Sequence, residues 1–266
     1  MKEQKISVII PTLNEEKYIT LLLQSLEKQT LTGFEVIIVD AGSQDRTTEI
    51  AKNYDVQVLT VPDAKERGGI AYQRNCGAEL AKGDVLAFTE ADVILPATWL
   101  QAISEKFDRE NDLIAVAGPG FPYDAPLIGK LEYYLYNLFR VFISRLPHPY
   151  KRFFTSGYNM AVKRNVFEQL AGFDVSALIN DDGLFGRKLL QTGKVNFCYD
   201  LYVFISARRM SEEGFIQFNR HYLFMLENLF YPLSHMKFFN AIKIPSSKKF
   251  YERKTTKNKT KRGGNT

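Results

Sequence analysis

At 266 residues with 45% apolar side chains, the chain can bury one large α/β core or two small ones, which excludes disorder over most of its length. Its net charge of +5 is unevenly spread: beyond Ile242 stand Lys243, Lys248, Lys249, Arg253, Lys254, Lys257, Lys259, Lys261 and Arg262 against the single acid Glu252. The body is therefore near neutral and is not a nucleic-acid-binding surface.

Cys76 and Cys198 lack metal-ligand spacing and fit buried free thiols in a reducing compartment. Met1 to Lys5 lead straight into a strand, so no signal peptide is read. No charge-free apolar run of about 18 residues calls for a spanning helix. The expectation is a cytoplasmic protein, with attachment to a membrane surface left open.

Ile6 to Ile10 is a β-branched run closed by Pro11, which ends a strand. A helical pattern follows through Tyr18, Ile19, Leu22, Leu23 and Leu26, with Asn14 or Thr12 placed to cap it. Glu35 to Val39 is a second strand with Asp40 at its end, and the polar turn from Ala41 to Thr47 leads into a helix carrying Thr48, Ile50 and Ala51. Val56 to Val61 is a third strand. Strands and helices alternating at this spacing make a parallel sheet with right-handed crossovers. A glycine-bearing loop over 65–70 precedes a helix from Ala71 with Arg74, Asn75 and Ala78 on one face. It ends at Lys82-Gly83, with the glycine expected as a left-handed cap.

Asp84 to Phe88 is a buried apolar strand that runs into Thr89-Glu90-Ala91-Asp92 without a turn signal. Carboxylates at a strand's end point into the crevice where open α/β sheets bind ligands. Their oxygens suit a hard divalent cation carrying phosphates. Pro96 and Trp99 start a helix through Leu100, Ile103 and Phe107, and Leu113 to Ala117 is a further strand.

After Pro122 the character changes, which divides the chain into 1–122, 123–245 and a basic, disordered tail over 246–266. The helix-length stretch from Leu127 to Leu146 is crowded with Leu, Tyr and Phe. It reads either as packing against the body or as a platform at a membrane interface. Gly172-Phe173-Asp174, Asn180-Asp181-Asp182, a strand region from Val195 to Ser206 and Arg208-Arg209 follow. A second aromatic, helix-competent stretch runs from Gly214 to Phe239. His148, His221 and His235 have no metal spacing, and Ser156 lacks a nucleophile-elbow context.

Four polar clusters thus fall at or after strand ends: Thr12 to Glu15; Asp40 with Ser43 and Asp45; Glu90 with Asp92; Asp181 with Asp182. Each alone would pass for a turn or cap. Gathered on one edge, the carboxylates would repel unless a cation and ligand donors sat among them. Arg74, Arg208 and Arg209 are the basic residues suited to diphosphate oxygens.

Ser7 to Glu15, Asp40 to Thr47, Arg74-Asn75-Cys76-Gly77 and Phe88 to Asp92 resemble, in order and spacing, the successive motifs of the family 2 glycosyltransferases with the GT-A fold. Gly172-Phe173-Asp174 and Asp181-Asp182 through Gly193 resemble that family's acceptor-side motif, so the likeness covers roughly residues 5 to 195. It implies an α/β fold of GT-A type: a mostly parallel nucleotide-binding sheet flanked by helices, with aromatic-rich helical additions in the C-terminal half.

The implied activity is metal-dependent, inverting transfer of one sugar from a nucleoside-diphosphate sugar to an acceptor of open identity, a lipid-linked one among the candidates. Pro11, Thr12 and Glu15 would line the nucleoside pocket and Asp40 would accept from the base. Asn14, Ser43, Asp45, Arg74, Asn75, Glu90 and Ala91 join them in the implied donor site. Asp92 would bind Mg²⁺ or Mn²⁺ across the diphosphate. Asp182 would be the general base, with Asp181 supporting it or exchanging roles.

Glu90 departs from the family's Asp by one methylene. The Gln-x-x-Arg-Trp signature of processive members is absent, since the single tryptophan, Trp99, lies far upstream. That argues for single-sugar transfer and leaves Arg208 and Arg209 as candidate diphosphate clamps. The aromatic stretches and basic tail are consistent with peripheral contact with an anionic membrane. A non-catalytic nucleotide-sugar-binding protein is disfavoured because Asp92 and Asp182 are both present. A nucleotidyltransferase would want a glycine-rich basic loop where Pro11 to Glu15 stands.

Overall fold

The structure, a computed structural model, describes residues 5–147, 151–153, 155–177 and 180–208. Its first half comprises β1 (Ile6–Thr12), α1 (Ile19–Glu27), β2 (Glu35–Asp40), α2 (Thr47–Ala51), β3 (Gln57–Thr60), α3 (Ile70–Leu80), β4 (Val85–Phe88), β5 (Val93–Ile94), α4 (Trp99–Arg109), β6 (Leu113–Ala117) and β7 (Gly120–Pro122). The second half adds α5 (Leu127–Ser144), β8 (Met160–Lys163), α6 (Arg164–Gln169), α7 (Asp181–Thr192), β9 (Lys194–Phe197) and β10 (Val203–Ile205). Arg209, the stretch from Gly214 to Phe239, the tail and the three histidines lie outside the described residues.

Seven strands form the main sheet in the order β3-β2-β1-β4-β8-β6-β9. The pairs β1·β2, β2·β3, β1·β4 and β6·β9 are parallel. β8 runs antiparallel between β4 and β6, so the sheet takes strands from both sides of Pro122. A second sheet, β5-β10-β7, carries the chain back over the carboxyl edge of the first.

The strands read as nearly continuous apolar runs because both faces of the sheet are covered. Successive side chains alternate between faces: Val8 and Ile10 meet Leu22, Leu23 and Leu26 of α1 and Trp99, Ile103 and Phe107 of α4. Ile9, Ile37, Val39 and Phe88 meet α3, α6 and α7 through Ala71, Phe167, Phe185 and Leu189. Phe107 is fully buried, and truncating such a residue to alanine costs about 3–5 kcal/mol.

Four local expectations are corrected. Pro11 does not end β1, which runs on to Thr12 with Pro11 opposite Val39. Neither Thr12 nor Asn14 caps α1; its first turn closes on the Glu15 carbonyl, which accepts from Tyr18 N at 2.9 Å and Ile19 N at 3.0 Å. Gly83 is not a left-handed cap. α3 ends at Leu80 with Ala81 extended, and a Cβ on Gly83 would lie 2.7 Å from Lys5 O and Ser7 N, so glycine is there for close approach to β1. The region from Val195 to Ser206 is two strands in two sheets. Cys198 N bonds Ala117 O at 2.8 Å, then Leu201 N turns back onto Cys198 O at 3.2 Å.

α5 is buried on one side, through Tyr133, Asn137, Arg140 and Ile143, and exposed on the other. Among the described residues no helix is long and apolar enough to cross a membrane.

Candidate active site

Parallel pairing sets Thr12 beside Asp40 at the carboxyl edge. The Thr12 hydroxyl donates to Asp40 Oδ1 at 2.9 Å, and the Ser43 hydroxyl joins it there at 2.5 Å. Asp40 Oδ2 accepts from Gly42 N at 3.0 Å and Ser43 N at 2.8 Å. A carboxylate offers about four acceptor sites, and these four donors fill them. A base N–H can reach Asp40 only when a loop donor such as the Ser43 hydroxyl turns away.

Asn14 and Asp45 knit the same two loops together. Asn14, at φ 56°, donates its backbone N–H to Ser43 Oγ at 2.8 Å and accepts from Gln44 N at 2.8 Å. Asp45 accepts from Glu16 N at 3.1 Å and Thr47 N at 3.0 Å.

The second sheet brings Arg208 across this edge. Ser206 N donates to Asp92 O at 3.2 Å, and the Ser206 hydroxyl to Asp124 Oδ2 at 2.7 Å. The Arg208 guanidinium then grips both oxygens of Glu15, with Nη2 to Oε1 at 3.0 Å, and pairs through Nε with Asp92 Oδ2 at 2.8 Å. Its carbon lies 4.9 Å from the centre of the Tyr18 ring. Burial opposes the charge on Arg208, but Asp92 and Glu15 outweigh it and hold its pKa above the ordinary value.

Arg74 is the counterpart from α3. Nη1 donates to Asp181 Oδ2 at 2.7 Å and Nη2 to Glu90 Oε1 at 3.0 Å, so one cation ties the strand-end acid to the acidic start of α7. It is enclosed by the Phe173 ring at 5.3 Å and by Gly157, where a Cβ would stand 1.6 Å from Nη2. Its burial is offset by Asp181, Glu90 and Asp182, which raise its pKa.

Asp182 accepts from Gly157 N at 2.8 Å on Oδ2 and Gly183 N at 2.8 Å on Oδ1. Half-buried at the surface but densely packed by protein, its carboxyl is pushed up to about 6 by burial first and by neighbouring Asp181 second.

Asn75 spends both polar atoms on Phe173, donating to its carbonyl and accepting from its N–H, each at 2.9 Å. It thereby fixes the turn at 172–174 rather than facing the edge. Sequence reading missed Arg140, which is buried in α5 and donates to Ser156 Oγ at 3.0 Å and Tyr158 OH at 3.2 Å. These flank Gly157, so Arg140 steadies the loop that holds Asp182. Its signal was a lone arginine on the inner register of an apolar helix. The clusters at Glu15, Glu90–Asp92 and Asp181–Asp182 do meet, and their five carboxylates face two guanidinium groups.

A family model described as glycosyl transferase family 2 matches residues 7–171. The chain belongs to that family. The O-antigen chain rhamnosyltransferase RfbN of Salmonella typhimurium is 28% identical over 79% of this chain and 69% of its own length. The glucosyl-dolichyl phosphate glucuronosyltransferase of Haloferax volcanii is 25% identical over 74% of this chain and 63% of its own. Among solved structures, the mannosyltransferase PcManGT from Pyrobaculum calidifontis, in complex with GDP-Man and Mn²⁺, superposes with a TM-score of 0.62. It is 24% identical over 77% of this chain and 58% of that one, a likeness of fold. The chain spans from one third to about two thirds of the length of the curated relatives it matches.

In this family 2 member no group of three or more His, Cys, Asp and Glu side chains is arranged to enclose a metal, among the described residues. Asp92, with Glu90 close by in sequence, offers hard oxygens at the edge. One or two carboxylates completed by substrate phosphates is how Mg²⁺ is commonly held. The surplus of acids over guanidinium groups fits a bound cation.

Proposed function

We propose that this glycosyltransferase moves a single sugar from a nucleoside-diphosphate sugar to an acceptor hydroxyl or phosphate, with inversion and with a divalent cation. The observation that carries the reading is the pairing of a cation-hungry edge at Glu15, Glu90 and Asp92 with a carboxylate at Asp182 poised near 6. The donor side is assigned to 1–122 and the acceptor side to 123–245.

An alcohol attacks poorly until a positioned base takes its proton. Asp182, ionised at pH 7 and oriented by two backbone N–H groups, accepts that proton as the acceptor oxygen bonds to the anomeric carbon. The bond to the diphosphate oxygen breaks and its electron pair leaves with the nucleotide. One displacement at one carbon inverts it. Mg²⁺ or Mn²⁺ on Asp92 and the donor phosphates would neutralise the departing charge. Arg208 stands beside Asp92 to share that work, and Arg74 keeps Asp181 and Glu90 in place.

The GDP-Man and Mn²⁺ in the Pyrobaculum neighbour support the donor and cation assignment. The name of the Haloferax relative supports a lipid-linked acceptor. The missing processive signature supports one transfer per acceptor.

The test is a thermal-shift panel of uridine and guanosine nucleotides and their sugars, with and without Mn²⁺, on the wild type and Asp92→Ala. A ligand at about a hundred times its dissociation constant stabilises by roughly 2.7 kcal/mol. A shift for one base, strengthened by Mn²⁺ and lost in Asp92→Ala, is expected. Absence of any nucleotide shift would sink the reading.

A further inference from the structure

We propose that the outer face of α5 is a docking surface for an anionic lipid bilayer, with the helix lying in the headgroup interface. The proposal deepens the acceptor side of the sugar-transfer reading and rests on that reading only for what the bilayer presents. Leu127, Ile128, Leu131, Leu135 and Phe142 are 85%, 63%, 55%, 56% and 63% exposed. Tyr134, Leu138 and Phe139 extend the same stripe. At 100° per residue these positions fill one arc of roughly 140°, continuous over the whole helix and free of charge. Scattered apolar residues on a surface need no explanation, but a contiguous band this large marks an interaction site.

Charge complementarity selects the occupant. Lys130 and Arg145 are exposed at the rim of the band. Besides the buried Arg140, residues 125–153 hold Lys130, Arg145, Lys151 and Arg152 against Glu132 alone, the preceding Asp124 being bonded to Ser206 and Ala207, and the chain beyond Ile242 is as one-sided. An apolar face flanked by basic residues is the pattern of an interfacial helix on anionic lipid. A strap from the chain itself or a second copy of α5 would need the band without the basic surroundings.

The inner face of the same helix reaches the site. Asn137 donates to Gly120 O at 2.9 Å, and Arg140 holds Ser156 and Tyr158 on either side of the Gly157 that donates to Asp182. A bilayer under α5 therefore lies about one helix diameter, 10–12 Å, from the loop that holds Asp182. An acceptor whose head group stands in that interface comes to the base without leaving the lipid.

The experiment is flotation of the full chain with vesicles of phosphatidylcholine alone and with about 30% phosphatidylglycerol. The comparison is with Leu131→Glu/Leu135→Glu/Phe142→Glu, with nucleotide thermal shift as a check on the donor site. The wild type should float with the anionic vesicles, and the triple variant should bind them at least about ten-fold more weakly with its nucleotide shift unchanged. Independently, Leu135→Trp should shift its emission to the blue on adding anionic vesicles, against the constant background of buried Trp99.

Equal flotation of the triple variant, or a Leu135→Trp emission that ignores lipid, would overturn the proposal. So would a wild type that stays with neither vesicle. In that case a triple variant that melts earlier would assign the face to the chain's own segment, and one that dissociates a dimer would assign it to a second copy. A wild type that floats yet shows no nucleotide shift would refute the sugar-transfer reading and leave the docking surface standing.

Discussion

Arg74 and Arg208 each hold two carboxylates at the same sheet edge, yet they are fixed by different means. The Arg74 side chain, 3% exposed, comes from the middle of α3, beneath the Phe173 ring and against Gly157. Arg208, 12% exposed, follows β10 and is held by Glu15, Asp92 and the face of Tyr18. A cation enclosed by packing is part of the frame, and its two acids stay where it puts them. A cation enclosed mainly by opposite charges leaves behind, when removed, carboxylates whose repulsion a second cation can relieve. The Arg74 cluster should accordingly be rigid, and the Arg208 cluster exchangeable.

The largest effect should come from Asp182, the carboxylate proposed as the base. Asp182→Asn should lower transfer by about 10²–10⁴-fold and leave the nucleotide thermal shift intact. A variant that keeps more than about a tenth of the rate would move the base to Asp181. Next, Arg74→Gln strands Glu90 and Asp181 in a packed site, which costs about 3–5 kcal/mol when one partner of a buried pair is removed. Urea unfolding measures it, and a loss below about 1 kcal/mol would mean those acids reach water.

A smaller effect concerns pH. With the Asp182 carboxyl at about 6, kcat/KM should fall below that pH as the base becomes protonated. Asp181→Asn removes a like charge and should move the acid limb to lower pH. An unmoved limb would break the link between the two acids. The stability consequence has the opposite sense. The folded state binds this proton more tightly than the unfolded chain, whose aspartates titrate near 3.9. The contribution is therefore complete below about 3.9 and is lost as pH rises through about 6.

The parallel half of the sheet was legible because apolar runs ending in Asp40 and in Glu90–Asp92 carry their own direction. β8 was not, since Met160–Lys163 is four residues long and gains its identity only by pairing antiparallel with β4 and β6. The same limit explains the polar residues. Asn14 looks like a cap until its partners, Ser43 and Gln44, are seen in the next loop. Asn75 meets Phe173 across 98 residues, and Arg74 meets Asp181 across 107. Sequence displays a charge without its partner, so arginines beside diphosphate motifs read as phosphate clamps. What the fold adds is that Arg74 and Arg208 already hold carboxylates.

The finest distinction between the two clusters lies in whether a metal can repair them. Arg208→Gln leaves Glu15 and Asp92 facing each other without a counter-charge, so the variant should melt below the wild type. Mn²⁺ alone should restore most of that loss, because the shortened side chain vacates the space between the buried hard oxygens of Glu15 and Asp92, and stabilisation grows with metal occupancy. Arg74→Gln should gain nothing from Mn²⁺, since Gly157 and Phe173 pack directly against the guanidinium position between the two acids. The readout is the melting temperature against Mn²⁺ concentration, with Mg²⁺ as a second series. Rescue of both variants would make the two clusters equally open. Rescue of neither would mean that Arg208, like Arg74, belongs to the frame, and that a cation at this edge must arrive with the nucleotide's phosphates.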